Sequence, residues 1–246
     1  MAVRNIKLTI NYDGINYGGW QRQPDKQTIQ GEIERALESL TGAYVKVKGT
    51  SRTDAGVSAL GQIANIIIDS PIPTENFVEA LNHRLPRDIV VTEAAEVDLA
   101  FESSGCAKSK LYRYTVFTGK RRNAIETRNC WHRVGQLNIN AMNEAAKMLE
   151  GTHDFKSFAA AADERENSVR TVIRCEVMQN DKWIYVEIEA DRFLYNMVRN
   201  IVGTLVEIGK GRWMPEKINE ILAACSRCAA GPTAPAEGLC LVRIDY

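Results

Sequence analysis

The chain has 246 residues, 45% hydrophobic and 25% charged, with 17 glycines and 7 prolines, values that exclude disordered, collagenous and low-complexity classes. Thirty-one basic residues balance 31 acidic ones, giving zero formal net charge and a pI near 6.8, so coating of nucleic acid by bulk charge is excluded and any basic groove must be local. No apolar run nears the roughly 18 residues of a membrane span, and the start, MAVRNIKLTINYDG, has no signal-peptide stretch; a cytoplasmic protein without membrane contact is expected.

The first predicted strand reads KLTINYD, with Ile6, Leu8 and Ile10 on one face against Lys7, Thr9 and Asn11. The loop YDGINYGGWQRQPDKQ follows, in which Trp20, Gln21 and Arg22 suit either RNA contact or closure of the N-terminal core. Thr28 is placed to cap a helix carrying Ile29, Ile33, Ala36, Leu37 and Leu40, stopped at Gly42. A strand over 44–47, the polar loop GTSRTDAGVSALG and an apolar strand over 62–68 come next. Thr74 is placed to cap a second helix bearing Phe77, Leu81 and Leu85, and a fourth strand opens at 89–91. The order is β-α-β-β-α-β.

The second half repeats that order in its periods. Strands are predicted over 111–117, 172–178, 183–188 and 239–244, with Asn180-Asp181 as a hairpin turn. Helices are predicted over 138–149, 193–208 and 215–223. Two such halves give an α/β (α+β) protein of ferredoxin-like, RRM-like units with mainly antiparallel sheets. The join falls near ESSGCAK at 102–108, for domains over 1–105 and 106–246. Six cysteines without a secretion signal read as reduced thiols. Cys225 and Cys228 form a lone C-x-x-C, and the three histidines are scattered, so no metal site is expected.

Charge is uneven after the join. Lys108, Lys110, Arg113, Lys120, Arg121, Arg122, Arg128 and Arg133 face the single acid Glu126, with Tyr112, Tyr114, Phe117 and Trp131 interleaved. Cations with aromatics suit phosphate contact plus base stacking; a solvated sheet edge kept soluble by lysines fits the same residues. The loop over 49–62 holds Asp54 beside Arg52, with Gly56 and Gly61 permitting positive φ or close backbone approach. From loop chemistry alone Asp54 reads as a turn-stabilising Asx residue ahead of a nucleophile or base. Arg199 lies among Phe193, Met197, Val198, Ile201 and Val202. A buried arginine there needs a partner, while polar Asn196 and Asn200 leave surface exposure open.

The string R-T-D-A-G-V, followed by an alanine and G-Q, resembles the catalytic loop of the tRNA pseudouridine synthase A family. YDGINYGGWQRQP with TIQGEIERAL, KLYRYTV, HDFKSF, RFLYNMVRNIVG and APAEGLCLVRIDY match that family in the same order, from about residue 8 to the end. The resemblance implies two α/β domains joined across a central basic cleft, a homodimer, and isomerisation of uridine to pseudouridine at positions 38 to 40 of the tRNA anticodon stem-loop. It implies Asp54 as nucleophile, Arg199 as the partner of that carboxylate and Tyr112 as the ring stacked on the target uracil. Arg52 is implied as an RNA contact that aids flipping, and Leu241 as an apolar pocket wall. Lys108, Lys110, Arg113, Arg121 and Arg122 complete the expected RNA surface.

Those roles make chemical sense. The reaction breaks a C–N glycosidic bond, turns the base, forms a C–C bond and releases the C5 proton, so no cofactor is expected. A carboxylate near the ordinary aspartate pKa of ~3.9 is ionised at neutral pH, and a guanidinium orients it by charge-assisted hydrogen bonding. The target base must leave its stack, at a cost of a few kcal/mol. Ser58 stands where the family often has histidine, which removes a ring able to contact RNA. A catalytically idle tRNA-binding or folding module is the alternative, disfavoured by intact Asp54, Tyr112 and Arg199. A hydrolase would need a second placed carboxylate or a Ser-His pair.

Overall fold

In the computed structural model, which describes residues 3–246, the alternating N-terminal pattern becomes β1 (Arg4–Tyr12). Ile6, Leu8 and Ile10 are fully buried. β1 pairs antiparallel on one edge with β3 (Ser58–Ile68) and on the other with β4 (Ile89–Val97). Helix α1 (Ile29–Thr41) begins as its sequence predicts: Thr28 accepts from the Gly31 N–H, and Gly42, left-handed at φ 75°, donates to the Glu38 carbonyl. Its buried Ile29, Ile33 and Leu37 join Phe77 and Leu81 of α2 (Phe77–Asn82) and Ile66 of β3 in one core.

In the N-terminal half three boundaries differ from the pattern. The strand predicted over 44–47 is instead β2 (Val47–Gly49), which pairs antiparallel with β3 over Ala64–Ile66. Val47 is where the chain docks: Glu34 of α1 accepts its N–H at 3.2 Å and Gln30 donates to its carbonyl at 3.1 Å. β3 starts four residues before its predicted position because Ser58 and Ala59 pair in parallel with Cys240 and Leu241 of β10 (Leu239–Asp245). Thr74 does not cap α2; a 3-10 turn (Thr74–Asn76) precedes the helix, and the Thr74 hydroxyl accepts from Arg4 at 3.2 Å.

The described chain divides into two compact units, one running up to Lys108 and including Cys240–Tyr246, the other Ser109–Leu239. The first therefore has the order β4-β1-β3, with β2 and β10 sharing the remaining edge of β3 at its opposite ends. In the second unit, β5 (Ser109–Phe117) pairs with β9 (Trp183–Ala190), which pairs with β8 (Val169–Asn180), all antiparallel. The β8–β9 hairpin turns at Asp181, φ 52°, as the Asn-Asp pair predicts. Two short strands escape the pattern: β6 (Trp131–His132), parallel to the end of β5, and β7 (Gly151–Asp154), antiparallel to β8.

Helices α3 (Ile139–Lys147), α4 (Met197–Gly209) and α5 (Lys217–Ala224) complete the second unit. α4 begins at Met197 and not at 193. Asn196 is left-handed at φ 59°, and the backbone before it bonds to another loop: Asp163 accepts the Tyr195 N–H, Tyr195 O accepts from Ala160, and Arg165 donates to Phe193 O. Twelve of the thirteen α4 residues are buried, and the exception is Arg199. No helix among the described residues is long and apolar enough to cross a membrane.

Candidate active site

Asp54 opens a tight turn in the first unit. The Val57 N–H donates to the Asp54 carbonyl at 3.1 Å, and Gly56 at the third position has φ 82°, a conformation that only glycine adopts cheaply. The backbone on either side is clamped by the N-terminal loop. Tyr12 and Thr53 share a buried hydroxyl–hydroxyl bond of 2.7 Å, the Trp20 N–H donates to Thr53 O at 3.0 Å, and the Gly56 N–H donates to Tyr17 O. Gly19, φ 97°, comes so near that a Cβ there would lie 2.7 Å from Thr53 O. The turn is closed by backbone atoms and braced by Tyr12, Tyr17 and Trp20.

The aromatic N-terminal loop divides between core and surface. Trp20 is 2% exposed and closes the core, whereas Arg22 is exposed and paired with Glu34 at 3.3 Å. Tyr17 donates to Asp88 at 2.6 Å; burial first, then that bond and its charge, push the phenol well above the ordinary tyrosine pKa, so it stays protonated. Ser58 faces inward and accepts the Gly14 N–H at 3.1 Å. Gln62, fully buried, bonds Ser51 at both N–H and carbonyl and pins the start of the loop. Arg52 is exposed, and Asp54 is intermediate. Leu241 is fully buried in β10, opposite Ala59, and Gly61 lets the Val242 carbonyl approach to where a Cβ would be 2.6 Å away.

In the second unit, residues 110, 112, 114 and 116 share one face of β5 and residues 111, 113, 115 and 117 the other. Tyr112 is 7% exposed and meets Phe193 edge-on, with ring centroids 5.0 Å apart. Tyr114, fully buried, donates to Pro235 O at 2.8 Å; burial and the Glu237 charge raise its pKa, against a smaller lowering by Arg199. Lys110 shares that face. Burial first, then the Arg192 and Arg165 charges, bring its ammonium down to about 8. Those two arginines escape sequence reasoning because they lie more than fifty residues from Lys110 along the chain.

Arg199 Nε donates to Ala234 O at 2.8 Å and Nη1 to Asn196 Oδ1 at 2.9 Å, which sets the plane of the guanidinium. Arg113 points to the opposite face of β5 from Tyr112 and forms a 2.7 Å ion pair with buried Glu187, which also holds Arg174. Lys108, Arg121 and Arg122 are exposed. Asp54 and Leu241 are carried by the first unit, and Tyr112, Lys110 and Arg199 by the second.

A family model described as tRNA pseudouridine synthase matches residues 8–104 and 145–246. The chain is 46% identical to the tRNA pseudouridine synthase A of Acetivibrio thermocellus over 99% of this chain and 100% of that one. It is 48% identical to that of Moorella thermoacetica over 98% and 99%, and 45% to that of Geobacillus kaustophilus over 99% and 95%. Among solved structures, a chain of an archaeal box H/ACA Nop10–Cbf5 complex aligns with a TM-score of 0.37 at 13% identity, covering 82% of this chain and 43% of that one.

Proposed function

Because the chain belongs to the tRNA pseudouridine synthase family, we propose that it isomerises uridine to pseudouridine in tRNA, at positions 38, 39 and 40 of the anticodon stem-loop. The C1′–N1 bond breaks, the uracil turns, C1′ joins C5, the C5 proton leaves and N1 takes up a proton, so the product is an isomer and no electrons are exchanged. Asp54 is the nucleophile. The observation that carries this reading is the braced turn: the backbone at 53–57 is held by Tyr12, Tyr17 and Trp20, while the Asp54 side chain is not buried with it. A fixed backbone under a reactive side chain lowers the entropy of reaching the reactive geometry.

Tyr112 is assigned to stack on the everted uracil and Arg199 to pair with the Asp54 carboxylate. Support comes from the match of R-T-D-A-G-V, KLYRYTV and MVRN to the family pattern and from the orientation of the Arg199 fork by Ala234 and Asn196. Arg52, Lys108, Lys110, Arg121 and Arg122 are assigned to the RNA backbone, and Leu241 to the pocket wall. The reading extends to a homodimer acting in the cytoplasm, which light scattering at twice the 27.5 kDa chain mass would check.

The test uses tRNA tritiated at C5 of uridine. Wild type releases label, and Asp54→Ala binds the tRNA but releases none. Absence of release from wild type would leave the protein as a tRNA-binding module and refute the reading. Sequencing-based mapping of the modified tRNA then reports the positions.

A further inference from the structure

Arg199 is held by a carbonyl that itself needs holding. Ala234 meets Arg199 twice, donating its N–H to the Arg199 carbonyl at 3.1 Å and accepting from Nε at 2.8 Å. Ala234 ends an irregular segment, 231–234, that lies flat on α4. Gly203 and Gly231 allow this approach: a Cβ on Gly203 would be 1.7 Å from Pro232 O, and one on Gly231 would be 2.8 Å from the Thr204 Cα. Such a segment has no regular backbone ladder to hold it, so other bonds must.

Those bonds converge on Asn200, next to Arg199 and fully buried. Its Oδ1 accepts from the Thr233 hydroxyl at 2.6 Å and from Arg227 at 3.1 Å, and its Nδ2 donates to Phe158 O at 2.8 Å. Arg227 also donates to the Thr233 hydroxyl at 3.1 Å, closing a triangle. One turn along α4, the Thr204 hydroxyl donates to Asn200 O at 2.8 Å and accepts the Gly231 N–H at 2.9 Å. The segment is thereby fastened to α4 at Gly231 and at Thr233, immediately before the residue that grips Arg199.

We propose that Asn200, Thr233 and Arg227 are positioning residues for the reaction, locking segment 231–234 so that the Ala234 carbonyl fixes the orientation of the Arg199 guanidinium. This rests on Arg199 serving catalysis as proposed above. Only Asn200 of the three is buried, with Arg227 half-buried and Thr233 at the surface; a polar network anchored on one fully buried amide favours a single geometry, and losing one member loosens the rest. The chemistry needs that orientation in the transition state, so the effect belongs in kcat and not in tRNA affinity.

The experiment combines single-turnover and steady-state kinetics with nitrogen-edited NMR of the Arg199 Nε–H, whose hydrogen exchange reports its bond to Ala234. Thr233→Val, which keeps shape and removes the hydroxyl, is expected to speed that exchange roughly ten-fold and lower kcat about five- to ten-fold with KM unchanged. Thr233→Ser is expected to restore both. Should Thr233→Val fold poorly by thermal melting, Arg227→Gln provides the same readouts from the other corner of the triangle. Unchanged Nε exchange in a folded variant would overturn the proposal, whether or not kcat falls. So would faster exchange with wild-type kcat. If wild type forms no pseudouridine while exchange responds as expected, the functional reading fails and the clamp stands on its own.

Discussion

Gly203→Ala probes the packing of segment 231–234 on α4. The added methyl would lie 1.7 Å from Pro232 O and 2.9 Å from its carbonyl carbon, against an ordinary contact of 3.4 Å, so one side must give by about 1.7 Å. The helix is the worse candidate, with twelve of its thirteen residues buried. The segment moves instead, and with it go the Gly231 bond to Thr204 and the two bonds between Ala234 and Arg199. At roughly 0.5–1.5 kcal/mol net for each of the three, the loss is about 1.5–4.5 kcal/mol. Alanine's helix preference over glycine offsets about 1 kcal/mol of that. The balance, about 0.5–3.5 kcal/mol, corresponds to a melting temperature lower by about 1–14 °C for a chain of this size. Calorimetry on wild type and variant reads the shift, and label release should fall at least ten-fold because Arg199 loses its Ala234 contact. A melting temperature equal to or above wild type, with normal turnover, would show that the segment yields freely and refute the packing argument.

Three further outcomes are expected. In a Tyr12→Phe, Thr53→Val cycle, each single change leaves a buried hydroxyl without its 2.7 Å partner, so the pair should show a coupling of about 1–2 kcal/mol in denaturant unfolding; additive effects would mean the bond does not brace the turn. Lys110, at about 8, sits below its unfolded value near 10.4. The unfolded chain therefore binds more protons between those values, and stability rises with pH through that window; Lys110→Met should flatten the rise, and identical slopes would exclude it as the source. Charge reversal at exposed Arg121 and Arg122 should weaken tRNA binding more at low salt than at high salt, and an unchanged salt dependence would place both residues off the RNA path.

Much of the framework is local and therefore legible in the residues. The alternation at Ile6, Leu8 and Ile10, the Thr28 cap with its Gly42 stop, and the Asn180-Asp181 turn each depend on neighbours within a few positions, and each is realised. The order β-α-β-β-α-β of the first unit follows from such signals in series. The chemistry-bearing loop was legible through its string of residues more than through its physics, since a lone aspartate beside two glycines fits a turn as well as a nucleophile.

What tertiary structure decided is everything that needs partners distant in sequence. The Asp54 turn is rigid because Tyr12 and Trp20, more than thirty residues earlier, bond Thr53. β3 begins at Ser58 because β10, from the far end of the chain, pairs there. α4 starts at Met197 because Asp163 and Ala160 take the backbone groups of Tyr195, a competition invisible in a helical hydrophobic pattern. Arg113, one of a run of cations in the sequence, is paired with Glu187 across the strand pair. Periodicity records which face of an element is apolar; it carries no record of which remote group will satisfy a given N–H, carbonyl or charge, and that choice is made only when the chain closes on itself.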